Sequence, residues 1–320
     1  TIPTYTRSTK SCCAEIYPGQ YARFHNSIYM RTLLINIFMR DSVDRQYTAD
    51  WLQYERPQPM YDSSINKFYD RFYIDNPVHN GDLFDEFKNT FIQYLDEHTL
   101  NNISGYKDYE YKDICVGCTQ YIDDLYQRCG TNGIQILEND YKYHWRLNPN
   151  IEYVTVDTLD ANRELIIAMP FPYGGDVHPQ MQKILDICLE KNIPVHIDGA
   201  WVTCCRDITF NFSHPAIKTF CISLSKGGLG GNRIALRFTR QRPQGAITIM
   251  NDFNMNCQSL VSMGIKYMQE LGPEYFWKKY EKTYAQVCKD FDLQPTKAIH
   301  LATKAGKPVG VRPLLRVLQP

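Results

Sequence analysis

Ile193-Pro-Val-His-Ile-Asp-Gly-Ala-Trp201 is a short aliphatic run that closes on a carboxylate, a glycine and an indole. Its apolar density and the glycine that follows predict a buried strand over 193–197, which delivers Asp198 to the carboxyl end. A carboxylate leaving a buried strand is costly unless it meets a cation or hydrogen bonds, so Asp198 is a candidate functional group. The plainer alternative is a helix cap or a surface salt bridge. A second run, Cys221-Ile-Ser-Leu-Ser-Lys-Gly-Gly-Leu-Gly-Gly-Asn-Arg233, also passes from strand to polar turn. It is not a P-loop, because the lysine precedes the glycines and no Gly-Lys-Ser or Gly-Lys-Thr follows them. Read alone, Lys226 and Arg233 are solvated surface charges.

Working outward, similar runs at 114–116, 134–137, 153–156, 165–169, 219–223 and 234–238 bring the predicted strands to seven. Helical stripes lie between or beside them. Phe84, Phe87, Phe91, Tyr94 and Leu95 share one face over 82–98, and Ile122, Leu125, Tyr126 and Cys129 share another. Met181, Ile184, Leu185 and Cys188 mark a third helix just past Pro179, a residue suited to a first turn. Strands alternating with helices predict an α/β fold: a three-layer α/β/α domain around a mostly parallel seven-stranded sheet. In such sheets ligands bind beyond the carboxyl ends of the strands. One such end is Gly117-Cys-Thr-Gln120, where strand passes into helix. Free N–H groups and the helix dipole there suit a phosphate, although the plainer reading makes Thr119 an N-cap. After residue 238 the pattern changes to a long helix over 273–291 and a strand-like 309–318. The expected division is an N-terminal arm over 1–60, a large domain over 61–240 and a small C-terminal α+β domain over 241–320.

Thirty-five Lys and Arg balance thirty-five Asp and Glu, so no net field favours nucleic acid or an anionic membrane. The most apolar windows, 33–39 and 165–172, are far shorter than the roughly 20 residues that span a bilayer. No charged-then-apolar leader opens the sequence, and a cytoplasmic setting is the expectation. Eleven scattered cysteines fit reduced, mostly buried thiols. Cys115 and Cys118 form a C-x-x-C, but no second pair has the spacing of a zinc site, so no metal is expected.

In combination, the strand-end Asp198 and the later Ser-x-Ser-Lys with glycines and Arg233 behind it resemble the pyridoxal-phosphate enzymes of the aspartate aminotransferase superfamily, fold type I. The resemblance covers roughly 82–238 and, more loosely, the C-terminal part. It implies that Lys226 holds pyridoxal 5'-phosphate as an internal aldimine and later shuttles a proton. Asp198 would pair with the pyridine nitrogen. The phosphate would rest on Gly117, Cys118 and Thr119, with Ser223 and Arg233 adding hydrogen bonds. Tyr141-x-x-His144 is similar to the family's aromatic-x-x-His, in which the ring stacks on the cofactor and the histidine orients the aspartate; Trp145 competes with Tyr141 for stacking. Val309-Gly-Val-Arg-Pro-Leu-Leu-Arg316 resembles the strand whose arginine grips a substrate carboxylate, which nominates Arg312, with Arg316 as alternate.

The sequence also departs from the family. Met169-Pro-Phe-Pro-Tyr-Gly-Gly175 stands in place of Asn-Pro-Thr-Gly, so Phe171 replaces an asparagine donor, and Trp201 replaces a tyrosine. Both usual donors to the cofactor's phenolic oxygen are missing. Arg233 follows Lys226 by seven positions where eight is usual, and the short C-terminal part implies an open pocket. The leading expectation is an aminotransferase that moves an amino group between an amino acid and a keto acid or aldehyde. A lyase similar to threonine aldolases or group II decarboxylases is the second, and a non-catalytic binding protein on the same fold the third. Fold type I also implies a homodimer, to which the aromatic 61–73 segment could lend a tyrosine.

Overall fold

All seven predicted strands join a single sheet. A computed structural model describes residues 52–53, 59–75, 82–172 and 174–318, so most of the arm expected over 1–60 lies outside the described residues. Along the chain the strands are β1 (Asn102–Ser104), β2 (Tyr111–Cys115), β3 (Ile134–Leu137), β4 (Tyr153–Val154), β5 (Glu164–Ala168), β6 (Val195–Gly199), β7 (Thr209–Asn211), β8 (Ile217–Ser223), β9 (Ala235–Thr239), β10 (Gln294–Pro295), β11 (Leu301–Lys304) and β12 (Lys307–Gly310). The helices are α1 (Ser63–Asp75), α2 (Leu83–Asp96), α3 (Gly117–Cys129), α4 (Tyr143–Leu147), α5 (Met181–Glu190), α6 (Ala246–Asp252), α7 (Gln258–Glu270), α8 (Tyr275–Asp290) and α9 (Arg312–Val317).

The large sheet has the order β2-β9-β8-β6-β5-β3-β4. Its pairs from β8 to β4 are parallel, whereas β9 runs opposite to both its neighbours. The cause lies in the connection: residues 224–234 hold no helix, and a parallel return needs a crossover of a dozen or more residues. The carboxyl ends of β3, β5, β6 and β8 therefore open on the same side. The central strands read as continuous apolar runs because both faces are covered, and β6 and β9 are buried at every position. On one face α3 lays Cys118, Tyr121, Ile122 and Leu125 against Ile134, Ile136, Ile166 and Cys221.

One cation is locked into this core. Arg237 on β9 is fully buried; its Nη2 donates to Asp113 Oδ2 (2.6 Å) and Thr248 Oγ1 (2.8 Å), and its Nη1 to Asp124 Oδ2 (3.2 Å). The network ties β2, β9, α3 and α6 together. Truncation would leave buried Asp113 with only Arg242 at 3.9 Å and buried Asp124 with Arg128 at 3.1 Å, so Arg237→Ala is expected to cost about 3–5 kcal/mol in urea unfolding. A loss below about 1 kcal/mol would show that water takes the place of the guanidinium.

The C-terminal part contains the predicted long helix, α8, which buries Phe276, Trp277, Tyr280, Tyr284 and Val287, and an antiparallel sheet of order β10-β11-β12. The strand-like 309–318 is corrected: strand β12 stops at Gly310, and α9 follows. Pro313 lies in the first turn of α9, where a missing N–H is harmless, whereas in a ladder it would remove a hydrogen bond. Among the described residues no helix is long and apolar enough to cross a membrane, and no cluster of His, Cys, Asp or Glu could hold a metal ion.

Candidate active site

The carboxyl ends of β5, β6 and β8 meet the start of α3 around a cleft. Cys118, Thr119, Tyr141, Asp198, Trp201, Ser223, Lys226 and Arg233, all proposed from the sequence, line it together. Gly117 stands at its edge with φ +74°; a Cβ there would lie 3.4 Å from Arg233 Nε and 3.5 Å from Ser225 Oγ. Glycine is favoured by the left-handed backbone, while the Arg233 and Ser225 distances are ordinary packing.

The helix start is open. The N-cap position is Val116, no side chain caps the helix, and Thr119 lies inside the first turn, so the reading of Thr119 as an N-cap is corrected. An uncapped first turn leaves N–H groups without intrahelical acceptors. They face a cleft that also receives Ser223, Ser225 and Arg233. Ser223 Oγ donates to Ser225 Oγ (2.8 Å) and accepts from the Ser225 N–H (3.1 Å), which fixes both hydroxyls. Thr203 Oγ1 braces the strand end by donating to the Ser223 carbonyl (3.0 Å). These are the parts of an anion cradle.

Asp198 is buried, and its Oδ1 accepts the Ala200 N–H at 3.0 Å. Burial pushes its pKa up, while the Cys118 thiol, Lys226 and Arg233 pull it back. Cys118 is itself pushed up to about 12 by burial, so the thiol stays protonated and can donate. Lys226 follows the opposite rule: burial lowers its pKa, Cys204 opposes the change and Arg233 adds to it. The Lys226 amine lies 6.0 Å over the Trp201 ring, and the edge of His300, from the loop before β11, meets that ring at 4.9 Å. The Met60 N–H donates to the Lys226 carbonyl (3.3 Å), which holds the lysine's backbone from the N-terminal side.

Other proposed residues lie elsewhere. His144 is buried, but its Nδ1 pairs with the Tyr126 hydroxyl at 3.2 Å, and burial lowers its pKa to about 4. The backbone support of Asp198 comes from Ala200. Trp145 is 52% exposed and does not line the cleft, which leaves Tyr141 as the aromatic wall. Phe171 turns its ring edge-on to His178 at 4.8 Å, and Pro170 and Pro172 line the cleft in its place. Arg312 donates from Nη1 to the Pro59 carbonyl (3.3 Å), and Arg316 sits 5.7 Å over the Tyr61 ring. Within the aromatic 61–73 segment, Tyr69 is committed to its own chain, donating to the Gly228 carbonyl at 3.0 Å. Two groups escaped the sequence reading. Ser225, in the motif itself, was hidden by its neighbour Ser223, and Asp140 lies in the turn just past the buried strand β3.

No protein family profile matches the chain, and no curated protein matches it in sequence. Solved structures do match. Cystalysin from Treponema denticola, which contains a pyridoxal 5'-phosphate cofactor, superposes with a TM-score of 0.59 at 14% identity over 80% of this chain and 76% of its own. The pyridoxal-phosphate-bound C-S lyase from Staphylococcus hominis gives 0.53 at 15% identity over 82% and 81%. An aromatic aminotransferase from Pyrococcus horikoshii gives 0.53 at 14% identity, over 80% of each chain. The chain shares their fold. That fold is the α/β architecture expected from the sequence, a mostly parallel sheet with a smaller C-terminal sheet beside it. Arg233, seven positions after Lys226, reaches the same cleft.

Proposed function

We propose that the chain is a pyridoxal-phosphate-dependent enzyme, with amino-group transfer between an amino acid and a keto acid or aldehyde as its leading activity. The observation that carries this reading is convergence: a buried strand-end acid, a lysine and an uncapped helix start meet in one cleft. The residues fit the group on chemical grounds. A phosphate would find the first-turn N–H groups of α3, the Ser223 and Ser225 hydroxyls and the Arg233 guanidinium. A planar ring would lie between Tyr141 and the Ala200-Trp201 side of the cleft. When bound, the cofactor supplies an electron sink for the carbanion formed at the substrate Cα.

The chain's own residues would do the rest. Asp198 holds a proton on the ring nitrogen, oriented by Ala200 and Cys118. Lys226, with its amine depressed by burial and by Arg233, binds the coenzyme covalently and carries a proton at Nζ. Neither Phe171 nor Trp201 offers the hydroxyl or amide donor that the family places at the phenolic oxygen. For the substrate carboxylate the sequence nominates Arg312, whose bond to Pro59 supports that role less than the cleft supports the cofactor. The division into 61–240 and 241–320 and a cytoplasmic setting belong to the same reading. So does a homodimer, which the exposed Val116, Ile249, Phe253 and Met255 support.

A lyase is the second reading, favoured by the C-S lyase among the matched structures. The test is direct. Purified protein is mixed with pyridoxal phosphate and then with a panel of amino acids. A visible band bleached by borohydride supports the cofactor; keto acid released as the coenzyme turns to its amine form supports transfer. Release of a thiol, of carbon dioxide, or of glycine with an aldehyde supports a lyase. No band at all sinks the proposal.

A further inference from the structure

Asp140 ends the turn after β3 and is 5% exposed. Its Oδ1 accepts the Tyr141 N–H at 2.6 Å and its Oδ2 accepts the Ala168 N–H at 3.0 Å. Both donors belong to residues that line the cleft. One carboxyl thus joins the backbone of the aromatic wall to the end of β5. Ala168 in turn stands opposite Asp198 in the parallel register of β5 and β6. The clamp thus ends one strand position from the buried Asp198, whose charge opposes ionisation of Asp140.

Burial pushes Asp140 up to about 7, against its two amide bonds and helped by Asp198. The other titratable groups that feel its charge are phenols, Tyr126 from α3 and Tyr153 from β4. The cations Lys226 and Arg233 act on Asp198. The two acids therefore differ in kind: Asp198 faces the cleft and its cations, whereas Asp140 faces amides and phenols behind it.

We propose that Asp140 is a positioning residue of this cleft, pinning the backbone of Tyr141 to the end of β5. The inference rests on the cofactor reading for its purpose, although the clamp exists without any ligand.

The test uses Asp140→Asn, which keeps an acceptor but cannot ionise, and Asp140→Ala, which removes the clamp. The stability profile has a definite sign. A pKa raised on folding gives stability that is full below the unfolded value of about 4 and lost as pH rises through about 7. Wild type should therefore lose stability over that window relative to D140N. Pyridoxal phosphate affinity should fall about tenfold or more in D140A, as expected when both anchoring hydrogen bonds are lost, and less in D140N. An affinity unchanged in D140A, or lowered as much in D140N as in D140A, would overturn the proposal. If the stability profiles diverge as expected but even wild type binds no pyridoxal phosphate, the buried clamp stands and the cofactor reading falls.

Discussion

Lys226→Ala is expected to abolish the coenzyme trapped on the protein by borohydride and to lower turnover by at least about 10⁴-fold, the upper range for a lost general acid–base group, since the covalent link goes too. Lys226 is the only lysine lining the cleft among the described residues, so no neighbour can replace it. Its amine makes no ion pair among the described residues and lies over the Trp201 ring, so its removal should change stability by less than about 1 kcal/mol. The variant should remain folded and still bind pyridoxal phosphate through the phosphate cradle. Added methylamine should restore part of the lost rate by supplying a diffusible base. Intact-mass analysis that finds the reduced adduct on the alanine variant would place the reactive amine elsewhere.

Asp198→Asn should retain the coenzyme but lose about 10²–10³-fold in turnover, the usual size of a lost charge stabiliser in a water-poor site. Asparagine can still accept the Ala200 N–H, so the geometry survives while the negative charge does not. The stability effect has the opposite flavour. Because burial raises the Asp198 pKa, ligand-free wild type loses stability as pH climbs above the unfolded carboxyl value. The asparagine variant should not share that loss, and melting curves across pH would show it. A variant that turns over normally would remove Asp198 from the chemistry.

The strands were legible because buried parallel strands are nearly continuous apolar runs, as Leu165 to Ala168 of β5 show. Their order was not, since it depends on pairings between distant segments. The reversal of β9 was readable in principle, because the glycine-rich turn before it is too short to cross over. Helix α7 escaped notice because Gly264 interrupts its apolar stripe; the glycine is there for space, as a Cβ would come within 2.6 Å of Phe87. The site followed the same rule. Lys226, Asp198 and Arg233 sit at strand ends or in a tight turn, where local sequence sets position. His144, Phe171 and Arg312 point where packing sends them: toward Tyr126, His178 and Pro59.

The Trp201 ring lies near both the Lys226 amine and the His300 ring. Its emission should thus register both occupancy at the lysine and displacement of the segment that carries His300, an intrinsic optical gauge that needs no label.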